Sequence, residues 1–252
     1  MNAMSLIKNG LPKTQEFCIS HQVQKVQSGP YQICPQCAKE DVNQTNREHH
    51  KQVKKMVCDN HFAGAMIPER HANSGFKNYI CSKNNSGQAN AWSKCVSFAK
   101  SMISGLKGNL VMSGTTGVGK THLGCATART LLNKGMYVRY ITSEEMAQKI
   151  MRAWDKDTKD SSEQSVIYEF TQYDLLILDE YGLHDRDKRL ELVHKVLYAR
   201  YDAMKPTMLI SNFTLKQLKD DLGDRLWSRF QQGGLTTIEC NWADQPVNLI
   251  DT

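Results

Sequence analysis

Short apolar runs separated by helical stretches organise the second half of the chain. Asn109–Ser113, Met136–Thr142, Tyr173–Glu180 and Pro206–Ser211 read as strands, with a last strand at about Thr236–Cys240. Leu175–Leu178 is an unbroken apolar run, the mark of a strand covered on both faces. A helix is predicted from Gly119 to about Asn133, stopped by Lys134-Gly135, and another over Ala89–Lys107. Strands alternating with helices predict a parallel sheet with helices on both faces. The first half reads differently. Ala38–Val57 is polar with sparse apolar residues, a solvated helix; Val23, Val26 and the Ser28-Gly29-Pro30 turn suit a hairpin; and Met66–Lys77, with Pro68, Asn73, Ser74 and Gly75, reads as a linker. There is no internal repeat or low-complexity tract.

The 252 residues suit one or two domains, and 40% hydrophobic content excludes a disordered chain. No apolar run approaches the roughly 20 residues of a membrane span. No signal-peptide core follows Met1 or the second candidate start, Met4, so a cytoplasmic protein is expected. The net charge of +6 is uneven: residues 1–110 carry 14 Lys+Arg against 6 Asp+Glu, whereas the remainder is slightly acidic. This asymmetry points to an anionic partner for the first half, or to a solvated basic face. Six of the eight cysteines (Cys18, Cys34, Cys37, Cys58, Cys81, Cys95) also lie there. In a reducing compartment such clustering reads as metal ligands before disulfides.

The strand at Asn109–Ser113 runs into Gly114-Thr115-Thr116-Gly117-Val118-Gly119-Lys120-Thr121, a full G-x-x-x-x-G-K-T phosphate-binding loop, or P-loop, before a helix. Its glycines let backbone N–H groups wrap a phosphate, Lys120 reaches the β- and γ-phosphates, and Thr121 ligates Mg²⁺. Gly114 through Thr121, with His122, are the candidate ATP/ADP-binding residues. Leu175–Leu178 leads into Asp179-Glu180, a Walker B element: Asp179 to hold Mg²⁺ through water, Glu180 to act as general base. Asn212 ends the next strand. If that strand lies between the P-loop and Walker B strands, Asn212 occupies the sensor-1 position of AAA+ ATPases; otherwise it caps the following helix, a role Thr214 fills equally well. Arg225 and Arg229, four apart on a helix, are either surface partners of Asp220 or Asp224, or the source of an arginine finger acting in trans, with Arg229 the finger and Arg225 assisting.

Cys18-x-x-His21 and Cys34-x-x-Cys37, separated by 12 residues, provide a Cys₃His set at zinc-knuckle spacing; the alternative is a buried Cys18 and a surface His21. Cys58-x-x-His61 stands alone, with no spacing to complete a second site.

These residues together resemble the DnaC-type replicative helicase loaders and the related DnaI and IstB ATPases. The resemblance covers about Ile67–Trp242. It rests on Pro68…Phe76-Lys-Asn-Tyr79, the P-loop, Asp179-Glu180-Tyr-Gly182, Ser211-Asn212, Gly223-Asp-Arg225-x-x-x-Arg229 and Asn241-Trp242. It implies an α/β P-loop AAA+ domain (78–252). The 12 residues after the last strand are too few for a full helical lid, and the knuckle spacing predicts a small zinc-ribbon-like and helical N-terminal domain (1–66) ahead of the linker (67–77). The resemblance also implies an ATPase, weak alone, that self-associates through the arginine finger. The N-terminal domain would dock on a hexameric DnaB-like helicase, and the protein would deliver that ring onto single-stranded DNA. The insertion Glu144–Gln172 is similar to the family's DNA-touching motif, with Lys149 and Arg152 as the surer contacts; the competing reading is an amphipathic helix burying Met146, Ile150 and Trp154. The chain departs from the family pattern after Trp242, where no arginine offers a sensor 2. An IstB-like ATPase that assembles on duplex DNA to regulate a transposase is the alternative.

Overall fold

The computed structural model describes residues 11–82, 85–154, 162–182 and 187–242. The chain forms two compact units, Met1–Met56 and Val57–Thr252.

In the first unit, β1 (Lys13–Phe17), β2 (Gln24–Ser28) and β3 (Tyr31–Ile33) form an antiparallel meander. The hairpin between β2 and β3 turns at Gly29, whose φ of 59° suits a residue without a Cβ. Helix α1 follows at once, Pro35–Gly64, with Pro35 at the position where a missing N–H costs nothing. The sequence predicts a solvated helix over 38–57. The observed helix is longer because neither glycine nor proline interrupts it before Gly64, and none of its residues is buried.

The second unit is built on a five-stranded parallel sheet, order β5-β6-β7-β4-β8. The strands are β4 (Asn109–Gly114), β5 (Val138–Thr142), β6 (Leu175–Tyr181), β7 (Thr207–Ser211) and β8 (Leu235–Cys240). Alternate strand residues face opposite ways. Leu110, Met112, Ile177, Met208 and Ile210 meet α2 (Ser86–Ile103) and α3 (Lys120–Leu132) on one face. On the other, Val111, Leu176, Leu178 and Leu209 meet α4 (Ser143–Arg152), α5 (Glu163–Gln172), α6 (Asp187–Asp202) and α7 (Leu215–Gln231). Coverage of both faces explains the unbroken apolar strands.

Within the segment expected as a linker, Glu69–His71 forms a single 3₁₀ turn, and Ile67 and Phe76 pack against the core. In the insertion, Met146 and Ile150 are buried, but Trp154 is 41% exposed and donates from Nε1 to Glu163 (2.9 Å), so the apolar stripe ends at Ile150. The insertion's further charged residues, Asp155, Lys156, Asp157, Lys159 and Asp160, lie outside the described residues. Among the described residues no helix is long and apolar enough to cross a membrane.

Candidate nucleotide site and cysteine–histidine cluster

Strand order brings the nucleotide-site residues together. β7 lies between the P-loop strand β4 and the Walker B strand β6, so Asn212 emerges beside the P-loop. Thr214, not Asn212, caps α7, through a reciprocal capping box with Gln217. The Asn212 side chain is left to accept from the Lys120 ammonium (2.9 Å). That ammonium also donates to the carbonyls of Gly114 (2.8 Å) and Thr115 (2.6 Å). Burial pushes the Lys120 pKa down.

Two P-loop glycines are required by close approaches. A Cβ on Gly114 would stand 2.1 Å from the Cys240 carbonyl oxygen, and one on Gly119 would stand 2.9 Å from the Tyr79 ring. Both have positive φ. Lys120 opens α3, whose first N–H groups point at the loop, a ready anion site.

Asp179 is 3% exposed. Its Oδ2 accepts from Thr121 Oγ1 (2.8 Å) and from the Tyr140 hydroxyl (2.7 Å), while its Oδ1 accepts the Glu180 N–H (2.7 Å). Hard oxygen donors in this pairing of Thr121 with Asp179 fit Mg²⁺. At Glu180 the β6–β7 register shifts and φ is +56°, an uncommon value for a residue with a side chain. Hydrogen bonds pin the backbone on either side: Ser143 Oγ to the Glu180 carbonyl (3.1 Å) and Ser211 Oγ to the Tyr181 carbonyl (2.7 Å). The Tyr181 hydroxyl, itself buried, bonds His194 and Asp221 at 2.7 Å each. Strain at a candidate general base is therefore held by contacts from four other elements.

The approach segment closes one side of the loop. Tyr79 and Trp242 both reach the Val118 carbonyl (3.5 and 3.1 Å), the Tyr79 and His122 rings lie 5.4 Å apart, and His122 Nε2 lies 3.1 Å from the Gly75 carbonyl oxygen. Tyr140 is the contact that motif reading missed. Its one signal is a phenol in a strand otherwise built to be covered.

Arg225 is exposed. Arg229 stacks its guanidinium on Tyr198 and Tyr201 of α6 (4.7 and 4.8 Å to the ring centres). Neither arginine pairs with Asp220 or Asp224 among the described ion pairs. Gly223, with φ 72° and ψ 156°, kinks α7 just before Arg225. Lys149 donates to Glu169 (2.5 Å) and lies over the Phe170 ring, while Arg152 is exposed at the end of α4.

In the first unit, Cys18, His21, Cys34 and Cys37 bring their donor atoms within 4.8 Å of one another. The Cys18–Cys37 sulfurs are 3.7 Å apart, and His21 Nδ1 lies 3.7, 3.7 and 3.3 Å from Cys18, Cys34 and Cys37. A tetrahedral zinc with bonds of about 2.3 Å to sulfur and 2.0 Å to nitrogen has edges of about 3.8 and 3.5 Å. The donor set fits that ion in type and size. His21 Nε2 meets Glu40 at 3.1 Å, the carboxylate support that fixes a metal-binding imidazole. The Cys37 N–H approaches Cys34 Sγ at 3.5 Å. Hydrogen bonding from the His21 backbone pulls Cys18 down to about 6, whereas bonding to Cys18 pushes Cys37 up to about 12. Cys18 and Cys37 compete for a proton in this way, and a dication at the centre of the cluster would remove the competition. Cys58 and His61 join no metal cluster among the described residues. Cys58 donates to the Leu132 carbonyl (3.4 Å), and His61 stacks on Tyr137 (4.8 Å).

A family model described as IstB-like ATP binding protein matches residues 89–229, more than half of the chain. The chain belongs to the IstB-like ATP-binding protein family. The replicative helicase loader DnaC of Escherichia coli (strain K12) is 29% identical to this IstB-like chain over 199 residues, covering 76% of it and 77% of the loader. The uncharacterized protein YdaV of the same strain is 28% identical over 212 residues, covering 84% and 80%. Among solved structures, the DnaC helicase loader is similar with a TM-score of 0.58 at 24% identity, covering 68% of this chain and 99% of that one. DnaI is similar with a TM-score of 0.55 at 20% identity, covering 72% and 95%. The fold is thus the P-loop AAA+ fold, with a parallel five-stranded sheet.

Proposed function

We propose that this IstB-like protein is an ATPase that loads a hexameric DnaB-like replicative helicase onto single-stranded DNA. The observation that carries the ATPase part is the convergence of Lys120, Thr121, Asp179 and Asn212 from three neighbouring strands on one P-loop. The similarity to loaders named DnaC supports the loading part. The transposase-regulating alternative is not favoured, because DnaC is a relative with an assigned role.

In this reading the P-loop N–H groups hold the phosphates, and Lys120 exchanges its carbonyl partners for phosphate oxygens. Bound Mg²⁺ supplies positive charge that offsets the developing phosphate charge, held by Thr121 and, through water, by Asp179. Glu180 takes the proton of the attacking water, and Asn212 orients it. Arg229, with Arg225, completes the site of a neighbouring copy, so turnover alone is weak. Their location past the Gly223 kink supports that role, with neither in an ion pair among the described residues and Arg229 held by stacking on Tyr198 and Tyr201. The Cys₃His unit binds zinc, and the N-terminal unit docks on the helicase. Lys149 and Arg152 contact DNA, Lys149 by exchanging Glu169 for a phosphate.

Size-exclusion chromatography with the cognate hexameric helicase tests the proposal. Co-elution, followed by ATP-dependent transfer of the ring to single-stranded DNA, is expected. A protein that ignores the helicase and coats duplex DNA with ATP refutes it in favour of the transposase-regulating role.

A further inference from the structure

Tyr140 stands on β5, opposite Ile177 of β6 in the parallel register. That places it on the same face of the sheet as Asp179, two residues further along. Its ring is 4% exposed, and its hydroxyl donates to Asp179 Oδ2 at 2.7 Å. Thr121 donates to the same oxygen at 2.8 Å, and the Glu180 N–H takes Oδ1. A carboxylate has about four lone-pair positions. Three are filled by the protein, so the Asp179 carboxylate can neither rotate nor swing without leaving a buried donor unpaired.

We propose that Tyr140 is a positioning residue for the magnesium site: its hydroxyl fixes the Asp179 carboxylate in the orientation from which Thr121 and Asp179 together face the cation. The proposal rests on the ATP-binding reading of the P-loop. Among the described residues the hydroxyl bonds to Asp179 and not to the P-loop backbone, so its effect is expected on the cation and not on the nucleotide.

The test uses the full chain, wild type and Tyr140→Phe, with a fluorescent ATP analogue. Affinity is measured first in EDTA and then across a magnesium titration; manganese binding followed by electron paramagnetic resonance gives a second readout. For Tyr140→Phe we expect unchanged affinity in EDTA and about a tenfold higher magnesium concentration at half-saturation, the lower end of what losing an outer-shell partner costs, because Thr121 and the Glu180 N–H remain. An unchanged magnesium midpoint overturns the proposal. Parallel loss of affinity in EDTA overturns it too, since Tyr140 then merely supports the loop. If the wild type itself binds no nucleotide, and Lys120→Ala matches it, the ATP-binding reading has failed and the proposal falls with it.

Discussion

Replacing one sulfur of the Cys₃His cluster tests whether the N-terminal unit is folded by metal. Among the described residues 11–56, only Cys18 and Cys34 are buried apolar side chains. Burial of two such small groups contributes at most about 3–6 kcal/mol. Structural zinc in comparable small modules contributes about 10–16 kcal/mol, so the ion outweighs the core. Strands of five, five and three residues, tied otherwise by short ladders and half-buried or exposed contacts such as Lys25–Glu16, are too short to be stable alone. Cys34→Ser removes one donor and is expected to lower bound zinc from about one ion per chain to a small fraction of that. The metal is read by plasma mass spectrometry after dialysis, and amide hydrogen exchange reads the fold. Protection is expected to vanish across Gln24–Ser28 and Tyr31–Ile33 while Leu110–Met112 and Leu175–Leu178 keep theirs. Chelation of the wild type is expected to reproduce the pattern. Negligible zinc in both proteins, with equal protection of the hairpin, would refute the reasoning.

Other expectations concern the ATPase unit. Lys120→Ala is expected to weaken ATP binding by about 10- to 100-fold, the worth of charge-assisted hydrogen bonds, read by equilibrium titration. Glu180→Gln is expected to keep binding but slow hydrolysis by about 10²–10⁴-fold, so equal losses in both would reject it as general base. Arg229→Ala is expected to abolish helicase- and DNA-stimulated hydrolysis, and mixing it with Glu180→Gln is expected to restore part of it, one copy lending the arginine and the other the site; no recovery argues against action in trans. Gly114→Ala forces a Cβ against the Cys240 carbonyl at positive φ, and a stability loss of at least about 2–3 kcal/mol is expected by urea denaturation.

The sequence by itself determined the elements and the local chemistry. The P-loop, the Asp179-Glu180 pair, the strand–helix alternation and the two paired knuckles are spelled by residues within a few positions of each other, because the backbone geometry they need is local. The strand order decided the rest. Asn212 emerges beside the P-loop because β7 lies next to β4, while Thr214 takes the helix cap. Tyr140 carries no motif, yet sheet register sets it 39 positions away in sequence against Asp179. The expected inward stripe ended at Ile150 because Glu163 offers Trp154 an acceptor at the surface. Cys58 and His61, a pair without a partner motif, lie on the far end of the long helix against Leu132 and Tyr137. Long-range contacts depend on which strands and helices become neighbours. That is a property of the whole packed chain, where burial and hydrogen bonding must be satisfied at once.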